Sequence, residues 1–418
     1  LPSPYGFGGA ATALTLFTYP YVLLTVRATL LRLDPSQEEA SRTLGVGPWA
    51  TVRRVTLPQL RPSIAAGGLL VVLYVLSDFG AVSLLRYSTF TRAIFLRYTA
   101  AFDRTPAAVL GLLLVALTLV VLTIEARLGR ARIRDLSTGG GGVQRDPSLL
   151  SLGRWRWPAV AFCSLVVLVA LVLPVTVIVA WFVRGLLAGE PVLPELGWIV
   201  NTLQAAALGA VAAVAAALPI GLWATRTDGR VARLVERASY TGYALPGIVV
   251  ALSLVFLGVR LGPLYQSLAL LVAAYVVLFL PQAVGAIRTA LLQVPVSVEE
   301  AARTLGDGPT RALLRAVVPV AKGGALSGGA LVFLTVVKEL PATLLLAPTG
   351  YDTLATRVWA TTSEAFFGRA SGPALALLLV GSVPLALLQI VGGRVPDREV
   401  GGRVPDREVS AGTSRPSG

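Results

Sequence analysis

The chain has 418 residues, 55% of them hydrophobic and only 14% charged, with a mean hydropathy of +0.74; that leaves too little polar surface to solvate a globule of this length. Its net charge of +14 comes almost wholly from arginine, since Lys322 and Lys338 are the only lysines, and the arginines fall between apolar runs, as loops beside a bilayer require and a nucleic-acid surface does not. The single cysteine, Cys163, lies inside an apolar run, which excludes a disulfide framework and a thiolate metal site and suits a small packing residue.

At roughly 20 apolar residues per crossing the chain holds about nine spans. They fall near residues 8–27, 64–85, 107–124, 158–183, 199–224, 240–259, 267–287, 324–346 and 372–391. Sustained period-2 alternation is absent, and backbone groups in lipid must be satisfied within their own segment, so the expected fold is all-α, a polytopic transmembrane helical bundle. Pro20, Pro174, Pro219, Pro246 and Pro281 lie inside spans and predict kinks or locally unwound turns. Between the third and fourth spans, Arg127, Arg130, Arg132 and Arg134 precede the run Gly139 to Gly142, which reads as a flexible charged linker. The resulting division is 1–125, a first half of about three spans; 126–157, the linker; 158–392, a second half of about six; and 393–418, a tail. That tail repeats the segment Gly392 to Val400 at Gly401 to Val409, a tandem copying event rather than a functional device.

One segment occurs twice: Glu38-Glu39-Ala40-Ser41-Arg42-Thr43-Leu44-Gly45 and Glu299-Glu300-Ala301-Ala302-Arg303-Thr304-Leu305-Gly306. A constant offset also pairs Pro20 with Pro281, Arg27 with Arg288, Pro58 with Pro319, Gly67 with Gly328 and Asp78 with Glu339, so the repeat extends well beyond the loop. Leu1 then pairs with Gly262, and the first half is expected to start mid-repeat, lacking counterparts of the stretch from Pro158 to Leu261. Within each copy the Glu pair stands three and four residues ahead of an Arg, which favours a short helix by about 0.2–0.5 kcal/mol per pair. Gly45 and Gly306 suit the left-handed position that ends it. Pro48 and Pro309 then stand where a second helix can begin, because the missing N–H loses no bond at the first helical position. The expected unit is an elbow of helix, tight turn and helix, closed by Pro58 or Pro319. The arginine-rich linker, both elbows and the stretch from Arg226 to Arg237 are separated by even numbers of spans, which puts them on one, cytoplasmic, side.

The elbow resembles the EAA signature of permease subunits of binding-protein-dependent ABC importers: Glu39-Ala40-Ser41, three residues, Gly45, nine residues, then Val55-Thr56-Leu57-Pro58. Glu300, Ala301, Ala302, Gly306 and Pro319 repeat it; the first copy departs with Ser41 for the second Ala and Val55 for Ile, the second with Ala316 and Val318 for Ile and Leu. This resemblance implies that Glu39, Ala40, Gly45 and Pro58, with Glu300, Ala301, Gly306 and Pro319, form two coupling loops seated on two ATP-binding subunits in the cell (inner) membrane. It also implies delivery by an extracytoplasmic solute-binding protein and no cofactor. The chain itself carries no phosphate-binding Gly-x-x-x-x-Gly-Lys-Ser/Thr, so ATP hydrolysis is expected on a separate subunit. Further likeness, over the segments 77–85, 338–346 and 351–356, is to ferric-iron permeases; relatives carrying thiamine, phosphonates or polyamines share much of the pattern. A secondary transporter or channel is the alternative of another class.

Asp78, Lys338 and Glu339 are ionisable residues within or at the ends of apolar runs. At a span centre each costs about 2.5–3.5 kcal/mol on insertion scales, which directs them toward the bundle interior as candidates for the translocation path. The competing reading is that Lys338 and Glu339 lie near a span end and pair structurally. Because both elbows are expected inside, cysteines introduced there should stay unlabelled by a membrane-impermeant thiol reagent in intact cells; labelling of either one contradicts the topology.

Overall fold

The computed structural model describes residues 5–31, 33, 35–100, 104–138, 153–227, 229–293, 296–312, 315 and 318–392. Secondary structure in these residues is helical throughout, with no strand among them. The first half comprises α1 (Phe7–Leu30), α2 (Pro35–Thr43), α3 (Pro48–Thr51), α4 (Leu57–Ser77), α5 (Gly80–Leu84), α6 (Phe90–Ala100) and α7 (Thr105–Thr138). Next come α8 (Arg156–Val167), α9 (Leu173–Leu187), α10 (Leu196–Arg226), α11 (Arg230–Ser239) and α12 (Gly247–Leu261). The last set is α13 (Leu268–Leu292), α14 (Val296–Thr304), α15 (Pro309–Ala312), α16 (Val318–Val337), α17 (Pro341–Leu346), α18 (Leu354–Ser363) and α19 (Phe367–Gly392). In the register of the sequence repeat, α1 to α7 and α13 to α19 correspond one to one.

Each half is built on a helical hairpin, α1 against α4 and α13 against α16. Lipid offers no hydrophobic drive to join helices, so close backbone approach through small residues has to do it. Gly67 supplies that approach in the first hairpin: a Cβ there would lie 2.6 Å from Thr25 Oγ1 and 2.8 Å from Val22 Cα. Gly324 and Gly328 do the same in the second, where added Cβ atoms would meet Ala290 Cβ at 2.6 Å and Ala283 Cα at 3.1 Å. Helix α10 covers both α13 and α16 with a stripe of small buried residues, including Ala206, Gly209, Ala213 and Ala217. No helix among the described residues covers α1 and α4 in the same way, and Phe7, Leu23 and Leu24 on α1 stay exposed.

Six helical segments are long and apolar enough to cross a membrane, and a seventh results if α11 and α12, bent by 103°, count as one. Two of the expected spans change shape. The runs at 64–85 and 324–346 are not continuous helices, because α4 stops at Ser77 and α16 at Val337, each followed by a short break and a one-turn helix. Beyond residue 124, by contrast, α7 runs on to Thr138. The Ala, Arg and Leu of that stretch are good helix formers, and they carry the helix through the lone Gly129 as far as the glycine run at Gly139. The run from Gly139 to Gly142 and the tail from residue 393 lie outside the described residues.

The prolines act in different ways. Pro20, Pro219 and Pro281 sit within continuing helices, whereas Pro174 follows a π-helical turn at Leu168–Val172 and Pro246 marks the bend into α12. Proline has no N–H, so Pro281 leaves the Val277 carbonyl without its helical donor. Gly242 packs against that carbonyl so closely that a Cβ would collide with it. Gly67→Leu should therefore cost about 1–3 kcal/mol through overpacking, read as a lower thermal midpoint of the detergent-solubilised protein. Gly68→Leu, next to it but facing open space, should leave the midpoint unchanged.

Candidate functional site

The two elbows share one backbone construction. In the first, Gly45 N–H donates to the Arg42 carbonyl (2.9 Å) and Val46 N–H to that of Ser41 (3.1 Å); in the second, Gly306 N–H donates to Arg303 (3.0 Å) and Asp307 N–H to Ala302 (3.1 Å). This is the Schellman pattern, which satisfies the last carbonyls of a helix when the next residue is left-handed. Gly45 and Gly306 have φ of +78° and +94°, and nothing lies within 4 Å of a Cβ at either, so backbone conformation rather than space requires glycine. The next helix then begins at Pro48 or Pro309, as expected.

The two copies secure their elbows differently. Ser41 Oγ and Thr51 Oγ1 lie 3.1 Å apart and are buried, joining α2 to α3. In the repeat, the half-buried Ala302 and the fully buried Ala312 take the places of Ser41 and Thr51, so both hydroxyls of the polar contact are replaced together by methyl groups. Glu38 accepts from Thr56 Oγ1 at 2.6 Å, which ties α2 to the π-helical turn Val52–Thr56 ahead of Pro58. Asp307 instead faces Arg315 at 3.2 Å and Arg311 at 4.0 Å.

Glu39, Ala40, Gly45, Glu300, Ala301, Gly306 and Pro319 are exposed, and Pro58 is half-buried. Three residues that the sequence reading passed over complete the surface: Leu44, Leu305 and Trp49 are 82%, 88% and 85% exposed. The signal that could have found the leucines is their place directly before the turn glycine in both copies; Trp49 gives no such signal, since its counterpart is Thr310. Each elbow thus presents a bare leucine at the tip of a backbone-locked turn, and the first adds an exposed tryptophan.

At the opposite ends of α4 and α16 lie the two breaks. Asp78 Oδ2 accepts from Val82 N–H at 3.2 Å, and the Asp78 carbonyl accepts from Thr91 Oγ1 at 2.6 Å. Glu339 accepts from Ala342 N–H at 2.9 Å and from the Thr343 N–H and hydroxyl at 3.0 and 2.9 Å, while the Tyr275 and Thr343 hydroxyls are 2.8 Å apart. The carboxylates therefore satisfy the free N–H groups that begin α5 and α17. Lys338 points elsewhere: its Nζ lies 5.6 Å from the centroid of the Phe17 ring on α1, across the boundary between the halves.

The halves also meet through Phe79, Leu340 and Ala355, with Trp359 edge-on to Phe95 at 5.3 Å. The segment from Tyr351 to Thr356 clamps α18 onto the start of α10. Tyr351 Oη donates to the Asn201 carbonyl at 2.8 Å, Asn201 Nδ2 to that of Asp352 at 3.0 Å, and Leu354 N–H to Thr202 Oγ1 at 2.9 Å.

Residues 3–134 and 217–398 match the family model described as binding-protein-dependent transport system inner membrane component. The chain is 35% identical over 391 residues to the Fe(3+)-transport system permease protein FbpB 2 of Haemophilus influenzae, an alignment covering 92% of this chain and 76% of that protein. It is 26% identical over 373 residues to a probable ABC transporter permease, y4fN, of Sinorhizobium fredii, covering 82% of this chain and 64% of that one. The sulfate transport system permease protein CysT of Escherichia coli is 32% identical over 136 residues, covering 30% of this chain and 49% of CysT. With one family model matching both repeats and an iron-type relative aligned along 92% of this chain, the chain belongs to the multi-pass membrane permeases of binding-protein-dependent ABC transport systems.

Proposed function

We propose that the chain forms the transmembrane path of an ABC importer for ferric iron, fed by an extracytoplasmic solute-binding protein and driven by two separate ATP-binding subunits in the inner cell membrane. The observation that carries the driving mechanism is the elbow made twice: the same Schellman turn, at equivalent places, with Leu44 or Leu305 exposed at its tip. A pair of identical partners needs a pair of equivalent handles, and one duplicated chain supplies both. In this reading Glu39, Ala40, Gly45, Pro58, Glu300, Ala301, Gly306 and Pro319 build the handles, and α4 and α16 carry partner movement to the breaks at Asp78, Lys338 and Glu339. Residues 1–125 and 158–392 act as the two halves, 126–157 as the cytoplasmic connection between them and 393–418 as a tail.

Iron as cargo is supported by the named activity of the Haemophilus relative, whose alignment spans both halves. Sulfate is the second reading, favoured by relatives named as sulfate permeases that align over about 130 residues.

Docking is testable at the tips. Burying one leucine contributes about 1.5–3 kcal/mol. Leu44→Asp and Leu305→Asp should each weaken co-purification of the ATPase at least about tenfold. Gly45→Pro should do the same, because proline holds φ near −65° and cannot adopt the left-handed turn. All three proteins should insert normally, since the altered positions are on the surface. Co-purification and ATP-driven uptake at wild-type levels in all of them would remove the elbows from the mechanism.

A further inference from the structure

Helix α16 runs for 20 residues from the second elbow to Lys338, a rise of about 30 Å. Lys338 therefore stands at the end of the path opposite the ATPase handles, where a solute-binding protein would release its cargo. Among the described residues it forms no ion pair, and its ammonium lies over the Phe17 ring of the other half. The side chain is exposed and its head leans across the seam between the halves, where a solute could meet it. Its partner position in the repeat is Ser77, so the charge belongs to one half only.

The ring beneath it leads on to two phenols. Phe17 packs on Tyr74 at 5.4 Å, and Tyr74 on Tyr21 at 6.0 Å. The positions equivalent to Tyr21 and Tyr74 in the second half are Gln282 and Thr335, joined by a 3.1 Å hydrogen bond. The two phenols and the Gln282 amide N–H groups can donate hydrogen bonds to oxygen, while the Thr335 hydroxyl proton is already given within the hairpin. The neighbouring carboxylates are already committed: Glu339 accepts three hydrogen bonds from the start of α17, and Asp78 caps α5. The seam thus offers donors and one positive charge, while its negative charges are held against helix starts.

We propose, resting on the importer reading above, that the cargo enters as a small oxygen-rich anion and that Lys338 is the specificity-determining group that attracts it. Two sources share this chemistry, a free oxyanion and ferric iron enclosed in an anionic chelate. A bare ferric ion prefers hard oxygen ligands, but here it would be repelled by the ammonium and would have to compete with helix-start N–H groups for the neighbouring carboxylates.

The test uses proteoliposomes holding the complete assembly of permease, ATPase and binding protein, with ATP inside and either [35S]sulfate or [55Fe]ferric citrate outside. The wild type should accumulate one of the two, and which one identifies the source. Lys338→Gln and Lys338→Met should each lower initial uptake about tenfold and flatten its dependence on ionic strength, whereas Lys338→Arg should stay within about threefold of wild type. Co-purification of the ATPase, expected to be unchanged in every variant, separates this effect from assembly. Wild-type uptake and salt dependence in the Gln and Met variants would overturn the role of Lys338. A wild-type assembly that hydrolyses ATP in response to the binding protein yet accumulates neither anion would overturn the cargo class while leaving the importer reading intact. Absence of any such ATPase response would overturn the importer reading and the proposal with it.

Discussion

Close backbone contact within each helical hairpin is the constraint on which the rest depends. Where α4 passes Thr25 and Val22 at Gly67, and α16 passes Ala283 at Gly328, no side chain fits between the helices. Contact this tight makes each hairpin a stiff lever, since packed surfaces shift between discrete arrangements more readily than they deform. One end of each lever is an exposed elbow. The other is a break capped by a carboxylate. The two ends of the second lever are about 30 Å apart along α16.

The two levers share geometry and differ in chemistry. Ser63 and Thr29 hydrogen-bond across the first hairpin, while the equivalent positions in the second are Gly324 and Ala290, which touch directly. The elbows show the same exchange, Ser41 and Thr51 against Ala302 and Ala312. In each case both members of a contact change together, so the backbone path is kept while polar bonding is traded for packing. The halves diverge further at the seam, where Lys338 has only Ser77 as its counterpart and where Tyr21 and Tyr74 face Gln282 and Thr335 across the pseudosymmetry.

Much of this was legible in the residues. The duplication, the turn glycines with φ above zero and the prolines that open α3 and α15 follow from chain-local chemistry, which a repeated string exposes directly. Apolar length located most spans, because the hydrocarbon thickness is fixed and a helix rises by a constant amount per residue. The breaks after Ser77 and Val337 were not legible: the apolar runs continue past them, and only the capping of α5 and α17 by Asp78 and Glu339 turns the chain. The role of Tyr351 to Thr356 was equally hidden, since its partners Asn201 and Thr202 are some 150 residues distant.

The sequence by itself determined the solvent, the two-fold repetition and the construction of the elbows, since composition, periodicity and turn stereochemistry act within a few residues of chain. Tertiary structure decided where the charges point. Asp78, Lys338 and Glu339 look alike as isolated polar residues in apolar surroundings, but two are fixed by hydrogen bonds to helix starts and one is turned across the seam. That difference arises from groups brought together by packing, such as Phe17 beside Lys338 and Tyr275 beside Thr343, whose separation along the chain gives no hint of it.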